Sequence, residues 1–202
     1  MKKRILKYHL EIFTAIVLLM TVINALLFKH LSDARKIINL FLLLGVLHEW
    51  EEKRFPGGFF DLMAKKFGVS FSQDTLDKSG CIVVAYWLII TLIPFALDGH
   101  VFLLLVPVVL NFFEAFIHTA GIVIHKMKKP YTPGMLSGWL MAIASVAVVI
   151  HLERNSLVSG ADYVLGAVLM FGSFLLMDVC IFKVAGVKLS DMKQRIAALR
   201  KK

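Results

Sequence analysis

Long apolar blocks separated by short polar connections constrain this chain more than any other feature. They run over residues 10–28, 37–50, 81–96, 101–124, 135–150 and 163–182. A helix needs about 20 predominantly apolar residues to cross a bilayer. The first, fourth and sixth blocks meet that length directly. The second is short by itself, but Ser32 and Asp33 offer an N-cap and Pro56-Gly57-Gly58 offers a stop. A helix over 33–54 would be about 33 Å long at about 1.5 Å per residue, enough to cross. That extension places His48-Glu49-Trp50-Glu51-Glu52 on the last turns of a helix, not in a loop. The expected spans are therefore 10–28, 33–54, 81–96, 101–124, 134–151 and 163–182. The fold class is all-α: a polytopic membrane bundle of about six transmembrane helices.

Composition agrees. The chain is 58% apolar and 18% charged, against about 45–50% and about 25% for soluble domains. Its net charge of +9 does not point to nucleic acid, because the basic residues lie between apolar blocks. Nineteen of the 23 Lys and Arg fall on one side of a six-span layout, four on the other. By the positive-inside rule both termini are cytoplasmic, in a cytoplasmic (inner) membrane. Segment 10–28 reads as an uncleaved first span, since Glu11 interrupts it and no small-x-small cleavage site follows. Residues 58–68 and the basic tail 186–202 read as amphipathic segments on an anionic leaflet. Cys81 and Cys180 form no disulfide framework and read as reduced packing residues.

Ionisable residues within spans are costly and are functional hypotheses by default. Here they gather at one end. His48, Glu51 and Glu52 fall within about 100° of one another at about 100° per residue. On the fourth span Asn111, Glu114, His118, Gly121 and His125 share a stripe about 80° wide. Asp178 and Glu11 lie at the same level of the sixth and first spans. The fifth span begins at Thr132-Pro133-Gly134, with Thr132 read as its N-cap, and its Gly134–Gly138 spacing permits close helix approach. Apart from Asn24, the outer half is almost purely apolar. A channel or proton wire wants polar groups across the full thickness. A one-sided pocket facing the cytoplasm fits better.

His48 with Glu52, and Glu114 with His118, are i,i+4 pairs that each let one helix face present two ligands. Imidazole and carboxylate together suit zinc, iron or manganese. These four residues are the candidate metal ligands for one ion. Adding His125 and Asp178 would give enough groups for two. Glu51 is the candidate general base on a metal-bound water, and Ser137, one turn into the fifth span, is the second candidate catalytic residue. Asn111, Tyr131, Gly134 and Glu11 are further candidates for the pocket. Three other readings stand beside this one. They are metal-free acid/base chemistry, such as a lipid isomerase, a small-molecule or ion carrier, and plain structural pairing of the charges. The favoured reading is a metal-dependent membrane enzyme, of hydrolase or oxidase type. Its substrate would be a lipid or another apolar small molecule. Nothing in the sequence fixes an oligomeric state.

His48-Glu49-Trp50-Glu51-Glu52 matches the motif that names the HXXEE family of integral membrane proteins. Two companion elements of that family are Asn-x-x-x-His and Tyr-x-Pro-Gly-x-x-Thr. Tyr131-Thr132-Pro133-Gly134-Met135-Leu136-Ser137 resembles the second, with Ser for Thr; Glu114 through His118 resembles the first, with Glu for Asn. The resemblance implies an integral membrane protein of enzymatic character and supplies no reaction. The Glu at position 114 favours a carboxylate ligand or base over a neutral amide.

Overall fold

The computed structural model describes residues 2–67 and 70–186, and they are helical, with no strand among them. The elements are α1 (Lys2–Lys7), α2 (His9–Leu26), α3 (Asp33–Lys53), α4 (Phe59–Phe67), α5 (Gln73–Ala96), α6 (Val101–Ile124), α7 (Met135–Arg154) and α8 (Gly160–Val184). Five of them, α2, α5, α6, α7 and α8, are long and apolar enough to cross a membrane. The protein is thus a membrane-type helical bundle. Helix α3 has comparable length, 21 residues, but its last turns carry the charged motif. The expected tail lies outside the described residues beyond 186.

Helix boundaries follow local chemistry. The Ser32 side chain accepts from the Arg35 N–H and caps α3, as expected from the sequence. Helix α5 begins at Gln73, eight residues before its apolar block, because the Ser72 side chain accepts from the Thr75 N–H. Ser159 and Asp162 form a reciprocal capping box that starts α8 at Gly160, ahead of residue 163. The expected Thr132 cap is not made. Helix α7 starts at Met135 behind Gly134, which has φ +93° and no capping side chain of its own.

Helix α3 packs against α2, α5, α6 and α7, while α6 packs against α7 and α8. Phe13, Phe41, Leu42, Leu105, Met141 and Met170 are fully buried between them. Small residues set the closest approaches. A Cβ on Gly138 would sit 3.4 Å from the Ala115 backbone, so α7 lies directly on α6. A Cβ on Gly166 would come within 2.7 Å of Leu105, which holds α8 against α6. Polar clasps add register where lipid offers no alternative partner. Asn24 donates to Asn39 at 2.9 Å, and Trp50 Nε1 donates to Thr14 at 2.8 Å, both tying α2 to α3.

Candidate metal centre

Helices α3 and α6 meet where their two i,i+4 pairs face each other. One ligand-capable atom from each of His48, Glu52, Glu114 and His118 lies within 4.8 Å of the others. His48 Nε2 is 3.6 Å from both Glu52 Oε1 and Glu114 Oε2. His118 Nε2 is 3.0 Å from Glu52 Oε1 and 3.5 Å from Glu114 Oε2. Ligand atoms around a tetrahedral ion with bonds of about 2.1 Å stand about 3.4 Å apart. The four cross-distances bracket that value. Both histidines and Glu52 are buried, and Glu114 is partly so. His118 Nε2 is enclosed without a hydrogen-bond partner among the described residues; its approach to Glu52 is close but poorly directed. A buried ring nitrogen left in that state suits a ligand of a cation better than a hydrogen-bond donor or acceptor. The residues therefore fit a single ion.

The loop before α7 sets the orientation of both imidazoles. Ser137 Oγ donates to Glu51 Oε2, so at 3.0 Å it accepts from His48 Nδ1. Thr132 Oγ1 donates to the His118 carbonyl at 2.8 Å and lies 3.4 Å from His118 Nδ1, where it accepts. The network thus assigns the proton of each ring to Nδ1 and leaves both Nε2 lone pairs directed at the carboxylates. Gly134 supplies the space for this. A Cβ there would meet His118 Cε1 at 2.5 Å and Glu52 Cγ at 2.8 Å. Ser137→Ala is expected to lower metal affinity roughly 10–100-fold, the usual effect of losing such an orienting partner. Ser137→Thr should restore it. Titration with a competing chelator reads this out, and unchanged affinity in the alanine variant would remove the orienting role.

Glu51 lies beside the centre rather than in it. Its Oε1 accepts from Tyr131 Oη at 2.7 Å and Leu136 N at 3.0 Å. Its Oε2 accepts from Ser137 N at 2.7 Å and from Ser137 Oγ. This α3 carboxylate caps α7, taking up free N–H groups at the positive end of the helix dipole. With both oxygens doubly engaged, Glu51 has no idle lone pair to act as the expected base. Tyr131 lies in the connection ahead of α7. Partial burial, and then the bond to Glu51, raise its pKa and keep the hydroxyl a donor.

Other sequence candidates are placed elsewhere. Asn111 is buried but donates to Ser145 at 3.0 Å, outside the four-residue cluster. Glu11 pairs with Arg54 at 3.1 Å. His125 is the C-cap of α6 and does not join the cluster. Asp178 lines a neighbouring cavity of about 320 Å³ that reaches His48, Glu52 and Glu114. The remaining walls of that cavity are mostly apolar, from Phe59, Phe60 and Met63 on α4 to Phe174 and Met177 on α8. The Phe59 ring stands 4.7 Å from that of His118. Sequence reasoning missed two residues. Thr132 was read only as a cap, and nothing in the sequence signals its reach to His118. Glu49 stands outside the face shared by His48, Glu51 and Glu52. It is 1% exposed, accepts from Trp87 Nε1 at 3.0 Å and pairs with Lys53. The i,i+4 spacing of Glu49 and Lys53 was its available signal.

A family model described as a protein of unknown function with HXXEE motif matches residues 39–150. The chain belongs to the HXXEE family. The matched stretch is more than half of the chain and holds all four clustered residues together with Glu51, Tyr131, Thr132, Gly134 and Ser137. No curated protein and no solved structure matches the chain. In this HXXEE protein the His and the second Glu of the motif enter the cluster, and the first Glu secures α7.

Proposed function

We propose that the protein is a metal-dependent membrane enzyme acting on a lipid or other apolar substrate. The observation that carries this reading is the buried His48–Glu52–Glu114–His118 group with both imidazoles pre-oriented from outside it. Zinc, iron or manganese suits the donor set. One ion is favoured over two, since His125 and Asp178 stand outside the group. When bound, the ion supplies Lewis acidity, and with iron or manganese also redox chemistry. The chain's own groups do the rest. Ser137 and Thr132 hold the imidazoles, and Glu51 acts as a positioning residue through Ser137 rather than as the base. The apolar cavity beside the cluster excludes water and admits an apolar chain. Asp178 places a carboxyl on the wall of that cavity. The charge asymmetry of the loops supports six spans, α3 included, with both termini and the centre on the cytoplasmic side.

Elemental analysis of detergent-purified protein tests the reading. The native protein is expected to hold about one equivalent of ion, matching its one tetrahedral donor set. The His48→Ala/His118→Ala variant should hold none. A native protein free of metal after purification without chelators and attempted reloading would overturn the metal reading. It would leave proton transfer between His118 and Glu52 as the chemistry of the site.

A further inference from the structure

A second cavity of about 370 Å³ adjoins the apolar one at Glu52 and Phe60. Its lining carries far more charge. Lys7, Lys53, Arg54, Asp61, Gln73 and Asp77 line it, so both signs of charge face the same space. The two cavities share two residues, Glu52 and Phe60. Glu52 is a member of the four-residue cluster, and Phe60 on α4 lines both chambers. The Glu49–Lys53 ion pair bridges the same partition, with Glu49 on the apolar cavity and Lys53 on the polar one.

We propose that the two chambers form one binding site for a single-chain amphiphile with a zwitterionic head, its chain in the apolar cavity and its head among the mixed charges. Apolar walls reward burial of the chain in proportion to area. A chamber lined by both cations and carboxylates, with Lys7 the cation left after Lys53 pairs with Glu49 and Arg54 with Glu11, complements a head of both charges and gives a purely anionic head like-charge contacts with Asp61 and Asp77. The bond that joins head to chain then lies at Glu52, beside His48 and Glu114. That placement of the bond rests on the proposed centre; the binding of the amphiphile does not.

The test uses full-length protein in phosphatidylcholine nanodiscs and a lysophosphatidylcholine carrying a mid-chain diazirine. After irradiation, labelled residues are mapped by mass spectrometry. Saturable labelling is expected at cavity residues such as Met63, Met177 and Ile181. Unlabelled lysophosphatidylcholine should compete, and glycerophosphocholine, a head without a chain, should not. Ile117→Trp, which fills the apolar chamber, should abolish labelling while the helical circular dichroism is retained. Lys7→Ala should raise the half-saturating concentration about tenfold, the worth of one charge-assisted contact. Lysophosphatidic acid, whose head is anionic alone, should compete at least tenfold less well. Labelling that is unsaturable and spread over lipid-facing residues such as Val168 and Leu175 would overturn the proposal. So would lysophosphatidic acid competing equally well. The same labelling on the His48→Ala/His118→Ala variant separates the two readings. Saturable labelling there, with no metal in the native protein, keeps the amphiphile and discards the ion. Metal without saturable labelling does the reverse.

Discussion

Gly134→Ala is expected to lower stability by roughly 3 kcal/mol and to abolish the proposed metal binding. Two penalties act at once. The residue stands at φ +93°, a conformation that costs a non-glycine residue about 1–2 kcal/mol. The new methyl would also fall 2.5 Å from His118 Cε1 and 2.7 Å from His118 Nε2. Overpacking of that kind costs about 1–3 kcal/mol in a well-packed interior. Neither neighbour can yield cheaply. His118 is held at its Nδ1 side by Thr132 and covered by Phe59. Relief therefore comes from moving the imidazole off its line to the carboxylates. On the usual scale for a chain of this length, the stability loss lowers Tm by about 10 °C. Thermal unfolding in detergent and elemental analysis read the two effects separately. An alanine variant with native Tm and native metal content would mean that the loop before α7 shifts freely, and that the close approach does not matter.

Glu49→Ala is expected to cost about 1–3 kcal/mol, the usual penalty for leaving a buried polar group without its partner. The Lys53 side chain is only 10% exposed. Its ammonium would remain in place without its carboxylate, and the Trp87 N–H would lose its acceptor as well. The cost should fall sharply in the double variant Glu49→Leu/Lys53→Met, because removing both charges also removes the unpaired one. Metal content should remain native in both, since Glu49 faces α5 and takes no part in the cluster. A single variant as stable as the parent would show that Lys53 escapes to solvent. A loss of metal would place Glu49 among the groups that hold the centre.

Much of the bundle was legible because it depends on properties of single segments. The apolar blocks announced α2, α6 and α8, and Ser32 announced the start of α3. The i,i+4 pairs His48/Glu52 and Glu114/His118 announced two faces each bearing a His and a Glu, and these faces meet in the structure. What was illegible depends on partners distant in sequence. The polar stripe of α6 includes Asn111, but angle alone does not tell which neighbour it faces, and that neighbour is Ser145 on α7. Glu51 lies on the motif's face and was read as chemistry. Its four donors arrive from a segment eighty residues on, and only the packing of α3 against α7 brings them. The early start of α5 was missed because Gln73-Asp74-Thr75-Leu76-Asp77 reads as a polar connection, though Ser72 caps it into the helix.

The cavity beside the cluster is built from two parts of the chain, one inside the family match and one beyond it. One wall, with His48, Glu52 and Glu114, belongs to the stretch that defines the family. The opposite wall, with Phe174, Met177, Asp178, Ile181 and Phe182, comes from α8, which begins ten residues after that stretch ends. The groups around the histidines and the far wall of the cavity are thereby carried by separable parts of the chain. A helix that touches lipid over most of its surface can exchange the side chains of its one inward face without disturbing a single bond around the histidines. Grafting a foreign α8 face onto this scaffold is accordingly the natural route to changing what the cavity admits while leaving intact what happens inside it.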